Sequence, residues 1–360
     1  RELGLEIQNI ANHDLTYEKN QELNLATEFG LFNDRINFSV AWFNRKSYDL
    51  IGGITTQGVS GTITKKGNMA EMRIRGLEIG VETTNIKTAD FSWRTSFVYS
   101  RSSNEVTKLL TNPTIQDMVG YNSQSATSQG GFAKEGYPLK SLFSVPFNGL
   151  NSSGLPTFTN QQGDATINGI RFDSQDVDFL KYSGTLIPTD KGSLSNTINY
   201  KGISLGVVLT YSYGNVVRLR GMRNVYNDYS TVPRELNNRW QYAGDENKTD
   251  IPVLYTTYMY QRLFNGWKEM NQAYLTYDYS DVRIAKGDNI RLKEISLGYT
   301  FDKNFLRESR IRQLSLKLQA TNVALLYADK KLNGDDPDYL ANGYAPIPPK
   351  RLIFTLRVGL

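Results

Sequence analysis

The sequence has no cysteine among its 360 residues, a single histidine at His13, and no apolar run near the roughly 18 residues that a membrane-crossing helix requires. Without cysteine there is no thiol nucleophile, no cysteine-based zinc site and no disulfide framework. One histidine leaves one possible base for a Ser-His-Asp triad and one ligand for an imidazole metal site, and His13 sits in a polar lead-in that reads as a solvated turn. Basic runs are also missing. The 41 Lys and Arg against 36 Asp and Glu give a net charge of +5, but no run of five occurs, so nucleic acid is not an expected partner. No Gly-rich phosphate loop, paired catalytic carboxylates or nucleophile elbow stands out, so an enzyme is not expected and no catalytic residue is assigned. The opening Arg1-Glu-Leu-Gly has no Met, basic n-region or apolar h-region. The expectation is a chain that begins partway through a larger protein.

What the sequence has is alternation and aromatics: 22 Tyr, 16 Phe and 4 Trp fall at strand ends and in long loops, as aromatic girdles and ligand-binding surfaces require. In Arg351 to Leu360, the residues Leu352, Phe354, Leu356, Val358 and Leu360 share one side of an extended chain. Ten residues at roughly 3.3 Å each, tilted by about 45°, cross an apolar slab of about 25 Å. Eight similar segments precede it. Gln21 to Phe32 turns through Asn33-Asp34 into Arg35 to Leu50, and Glu71 to Thr84 turns through Asn85 to Asp90 into a strand from Phe91. Leu194 to Tyr200 turns at Lys201-Gly202 into Ile203 to Tyr213, and Asn289 to Phe301 turns into a strand around Leu314 to Ala320.

Between these hairpins lie a Gly/Thr-rich medium loop over Gly52 to Gly67 and three long connections, about 104–191, 215–288 and 329–349. Short helices are expected over Arg234 to Arg239 and Tyr255 to Trp267. Connections that alternate short and long have no cause in a soluble sandwich or lectin. In an outer-membrane barrel the short turns face the periplasm and the long loops face outside. The expected fold is therefore all-β: about nine antiparallel strands forming the C-terminal portion of a large transmembrane β-barrel, all of residues 1–360 in one unit. Its C-terminus is periplasmic, and lipid and lipopolysaccharide lie against its outer face. Single-chain barrels have even strand numbers and no open edge, so nine strands require the remaining N-terminal part of the same barrel as a partner.

Trp240, Tyr242 and Trp267, in the second long loop, are the candidate substrate-binding or lid-contacting residues, because aromatic faces stack on sugars and on partner proteins. Trp42, Trp93, Tyr211 and Tyr213 read as girdle or lipid-facing residues, and Arg94, Lys317 and Arg357 as lining of a polar interior. Two oxygen-rich clusters, Asp335-Asp336 with Asp338 and Asp245-Glu246 with Asn247 and Asp250, lack EF-hand spacing and read as solvated turns rather than calcium sites, so no metal or cofactor is expected.

Five segments carry a family resemblance: Asn12 to Arg35; Met72-Arg-Ile-Arg-Gly-Leu-Glu-Ile-Gly80; Arg239-Trp240 with Asp245 to Pro252; Arg291 to Phe301; and Thr321 to Tyr327 with Asp335-Asp-Pro337. In this order they resemble the C-terminal barrel of TonB-dependent outer-membrane receptors of the SusC/RagA type. The resemblance implies a 22-stranded barrel closed by a plug domain, importing oligosaccharides or peptides, energised by TonB-ExbB-ExbD through that plug and capped by a SusD-like lipoprotein. The plug and the N-terminal barrel strands are absent from these residues. The alternative function is a related barrel that anchors a surface complex and transports nothing.

Overall fold

A computed structural model of the chain describes residues 12–55, 64–121, 130–222, 234–254, 261–262, 264, 267–302, 306, 311–341 and 347–359. Nine strands form one antiparallel sheet: β1 (Lys19–Leu31), β2 (Ile36–Thr55), β3 (Thr64–Lys87), β4 (Phe91–Leu109), β5 (Asp190–Tyr200), β6 (Ile203–Tyr213), β7 (Asn289–Thr300), β8 (Gln313–Ala328) and β9 (Arg351–Gly359). Each strand pairs with the next in sequence, from β1 at one edge to β9 at the other. Neither edge strand has an outer partner among the described residues.

Register makes one face of this sheet apolar. Cross-strand partners share a face, and Phe29, Phe38, Val81, Phe97, Leu194 and Leu209 lie opposite one another in one row across β1 to β6. A second row runs Ile86, Trp93, Ile198, Leu205, Leu297, Leu318 and Phe354. Aromatic rows border these at both ends. Phe91, Tyr200 and Tyr299 stand at the end with the short turns, and Trp42, Tyr99, Tyr211, Tyr213 and Tyr327 stand toward the other. On β6 the span from Ile203 to Tyr211 is about 26 Å along the strand, the size of a lipid band crossed at a tilt. Polar side chains within the apolar face satisfy each other: Asn196 Oδ1 accepts from Trp93 Nε1 at 2.9 Å and from Thr95 Oγ1 at 2.8 Å. The opposite face carries Asn37, Glu82, Ser96, Ser195, Glu294 and Thr321 in one row, with Arg94, Lys317 and Arg357 on the same side.

Because the strands are sequential and antiparallel, the connections 32–35, 88–90, 201–202 and 301–312 all emerge at one end of the sheet. The connections 56–63, 110–189, 214–288 and 329–350 all emerge at the other. The first hairpin turns through Phe32, Asn33 and Asp34, all with φ between +56° and +60°.

Two expectations require correction. Gly52 to Gly67 is not a medium loop: β2 continues to Thr55 and β3 begins at Thr64, with Gly52 opposite Gly67. Side chains from the neighbouring strand cover the bare glycine backbone, since a Cβ at Gly52 would meet Met69 Sδ and one at Gly67 would meet Ile54 Cδ1. Likewise β4 runs past Asn104 to Leu109, where a register shift against Met72 breaks the alternation that marks its first half.

The buried hydrophobic core lies outside the sheet, at the long-connection end. Ile115, Val119, Val145, Phe158, Ile170, Phe172, Met222, Leu236, Leu275 and Tyr277 form one cluster, drawn from the 110–189 and 214–288 connections. Around it are short strand pairs, Ser141–Ser144 with Lys181–Thr185 and Val216–Arg218 with Ile284–Lys286, and the small sheet Phe147–Leu150, Pro156–Thr159, Ala165–Thr166. Two short helices, α1 (Ile115–Val119) and α3 (Pro337–Ala341), and one longer helix, α2 (Trp267–Asp278), complete this cap.

Candidate functional site: the cap over the sheet

α2 organises the cap. Met270, Ala273, Tyr274 and Tyr277 recur at helical spacing and are fully buried, and beyond Ala273 the helix is enclosed on every side. The 160–176 segment lies directly on its backbone: a Cβ at Gly169 would meet the carbonyl of Gln272 and the amide of Ala273, and Ile170 N donates to Thr276 Oγ1 at 2.9 Å. The segment itself encloses a cleft of about 580 Å³ lined by Asn160, Gln161, Gln162, Asn168, Arg171 and Asp173, among others. Arg171 and Asp173 form a surface ion pair at 2.6 Å, and that hydrogen bond holds the Asp173 carboxyl below the usual range. The lining thus offers side-chain amide donors and acceptors beside the Arg171–Asp173 pair and the Asp176 carboxylate.

Arginines lock the cap. Arg283 is 2% exposed and makes two bonds to the Glu235 carboxylate, at 2.8 and 2.7 Å, while its Nη2 also donates to the Arg220 carbonyl and its guanidinium sits 5.4 Å from the Tyr277 ring centre. Enclosure pushes the Tyr277 hydroxyl well above its usual pKa. Arg218 donates to the Phe143 carbonyl at 2.9 Å and lies over the Tyr279 ring. Arg220 ion-pairs with Asp335 and covers Tyr339, and Arg291, on β7, grips Asp336 with both nitrogens and Asp338 at 2.8 Å. The third long connection is thereby fastened to the second and to the wall.

The sequence-predicted residues are placed as follows. Trp240 is half-buried: its Nε1 donates to Glu246 at 3.0 Å and its ring lies on Gly154, where a Cβ would meet Cδ2. The bond to Trp240 lowers the Glu246 carboxyl, and the backbone amides of Tyr242 and Gln241, with Lys248, lower that of Asp245. This acidic turn therefore spends its oxygens on its own chain. Tyr242, two residues on, is 76% exposed. Trp267 opens α2, and its side chain lies outside the described residues. The second acidic cluster is occupied by Arg220 and Arg291. Among the described residues no group of three or more His, Cys, Asp or Glu is arranged to hold a metal. The 3₁₀ helix Arg234–Asn238 matches the expected short helix, whereas 255–260 lie outside the described residues. His13 stands exposed in the turn before β1. The sequence reading missed the 160–176 cleft, whose segment rests on α2 about a hundred residues later, and the arginine locks, whose charged partners are 45 to 115 residues apart.

A sequential antiparallel sheet with an apolar face bounded by aromatic rows, a polar reverse face and every long connection at one end is the wall of an outer-membrane type β-barrel. No described helix is long and apolar enough to cross a membrane. No family model matches the chain. Among curated proteins it is 24% identical over 345 residues to TonB-dependent receptor P3 of Formosa agariphila, covering 93% of this chain and 32% of that protein. It is also 24% identical over 357 residues to the TonB-dependent receptor SusC of Bacteroides thetaiotaomicron, covering 97% of this chain and 32% of that protein. Among solved structures, that of the RagAB peptide transporter superposes with a TM-score of 0.70 at 20% identity, over 98% of this chain and 36% of that one. The chain thus resembles SusC/RagA-type TonB-dependent transporters in sequence and shares their fold, and it spans about a third of the length of the curated relatives it matches.

Proposed function

We propose that these residues form the C-terminal wall and outer vestibule of a TonB-dependent outer-membrane importer for oligosaccharides or peptides. The observation that carries this reading is the sheet itself, a lipid-fitted outer face with a capped, loop-rich end. A role in nutrient import across the outer membrane is further supported by the receptors and the peptide transporter that the chain resembles. In this reading β1 and β9 pair with the remaining strands of a closed barrel, because unpaired edge amides and carbonyls in lipid cost several kcal/mol each. The cap faces outside and the C-terminus lies in the periplasm. The full protein carries a plug that engages TonB-ExbB-ExbD and works with a SusD-like lipoprotein over the cap, moving its cargo without enzymatic chemistry.

Tyr242 contacts cargo or lipoprotein directly, Trp240 holds the turn that presents it, and Trp267 heads the helix on which the cap is built. The test is to purify the full-length protein from outer membranes, identify the chains that accompany it, and measure uptake of labelled oligosaccharides and peptides with and without a protonophore. Energy-dependent uptake that falls several-fold in Tyr242→Ala, with assembly unchanged, supports the reading. An assembled barrel whose uptake is zero or insensitive to the protonophore makes it an anchor instead.

A further inference from the structure

We propose that the outer face of the wall, just beyond the aromatic row at its capped end, carries a binding site for the phosphorylated headgroup of an outer-leaflet lipid, formed by Lys46, Arg73 and Arg75. The inference rests on the membrane reading of the sheet and adds a ligand site to it. Register places the three side chains. Leu25, Trp42 and Leu77 form the last apolar row on this side of β1 to β3. One two-residue step beyond, about 7 Å, the same face has Asn44 beside Arg75, and one step further Lys46 lies directly opposite Arg73. On β4, Arg101 continues the Leu77 row. Four cations thus stand where an apolar band gives way to the headgroup layer.

Three of the four have no ion-pair partner among the described residues. Arg101 pairs with Asp190 at 3.8 Å, and beyond the cluster Lys108 pairs with Glu71 at 3.5 Å. Within 4.0 Å, Lys46, Arg73 and Arg75 meet no carboxylate among the described residues. Glu105, the β4 partner of Arg73, stays outside that distance. The Nε of Arg73 is enclosed and makes no hydrogen bond to the described residues. By contrast, the neighbouring cation on the polar face, Arg45, is matched by Glu22 at 2.7 Å. A guanidinium fork with two neighbouring cations suits a phosphate monoester, which supplies charge and several acceptor oxygens, and a lipid delivers that group at this height while its acyl chains cover Leu77, Ile79 and Val81.

The experiment inserts the full-length protein into phosphatidylcholine nanodiscs containing a small fraction of diphosphoryl lipid A or its dephosphorylated form, and counts bound glycolipid by native mass spectrometry. The wild-type protein is expected to retain the diphosphoryl form and not the dephosphorylated one. K46Q/R73Q/R75Q should retain about a hundredfold less, from roughly fivefold per cation. Arg75→Gln alone, an exposed change, should cost about fivefold, while R94Q/K317Q/R357Q, an equal charge loss on the polar face, should change nothing. Equal retention by wild type and the Lys46/Arg73/Arg75 variants overturns the site while leaving the barrel standing. Full displacement by millimolar inorganic phosphate shows an ion site rather than a lipid site and also overturns it. A protein that does not enter nanodiscs overturns the membrane reading itself.

Discussion

The wall and the cap draw on one amino-acid alphabet and bury it in opposite ways. In the wall the large apolar residues are the exposed ones, Leu352 at 72%, Phe354 at 66% and Leu25 at 59%, whereas in the cap Ile115, Phe158 and Met270 are at 0%. A soluble protein would hide both sets. The wall is built for a surrounding apolar solvent, and its cohesion comes from continuous backbone ladders between neighbours in sequence. The cap stands beyond that solvent, so it must assemble a core of its own from residues far apart in the chain. The two regions should therefore fail differently.

The largest expected effect is in the cap. Arg283→Leu leaves Glu235 buried without its partner and should destabilise the cap by about 3–5 kcal/mol. Limited proteolysis should show cleavage within 110–189 and 214–288 while the detergent-resistant wall stays intact; simultaneous loss of both would mean that the two are one cooperative unit. Next, Val207→Arg, in the middle of the apolar face, should cost about 2–4 kcal/mol of insertion, and Ser195→Arg on the opposite face about nothing. Equal effects, read by folding yield into vesicles, would erase the distinction between the faces. Smaller still is Trp240→Phe, which removes the indole N–H donated to Glu246 and should lower local cap stability by about 1 kcal/mol, measured by hydrogen exchange over 239–251.

The smallest effect is a pH dependence. Burial alone would raise the Asp336 carboxyl, but the hydrogen bonds and charge of Arg291 outweigh it and hold the group below the usual aspartate value. A depressed carboxyl contributes stability that is complete above its unfolded value, near 4, and is lost as the pH falls through the lower folded value. Acidification below about pH 4 should loosen α3 from β7, seen as increased exchange in 336–341, and Arg291→Gln should abolish the dependence.

Much of the wall was legible because strand periodicity is local. Leu194 to Tyr200 and Ile203 to Tyr213 reveal their faces within ten residues, and the short Lys201-Gly202 turn fixes their register. The reading weakened where glycine interrupts alternation, as at Gly52 and Gly67, because the residues that cover those glycines come from the partner strand. It failed through 110–189, whose described strands are only two to five residues long and whose packing partners lie on α2, a hundred positions later. The candidate aromatics show the same limit. Composition singled out Trp240 and Tyr242 together, but only the fold separates a tryptophan tied to Glu246 and Gly154 from a tyrosine facing solvent.

By itself, the sequence determined the nine strands, their hairpin order and which face of each is apolar, since side chains alternate with period two and nearest neighbours pair through short turns. Tertiary structure alone decided how two long connections interleave around α2, which carboxylate each arginine takes, and that Lys46, Arg73 and Arg75 meet on one face with no ion pair to a carboxylate among the described residues. Those arrangements depend on contacts between distant segments, where the free energy rests in packing and charge pairing that no local pattern encodes.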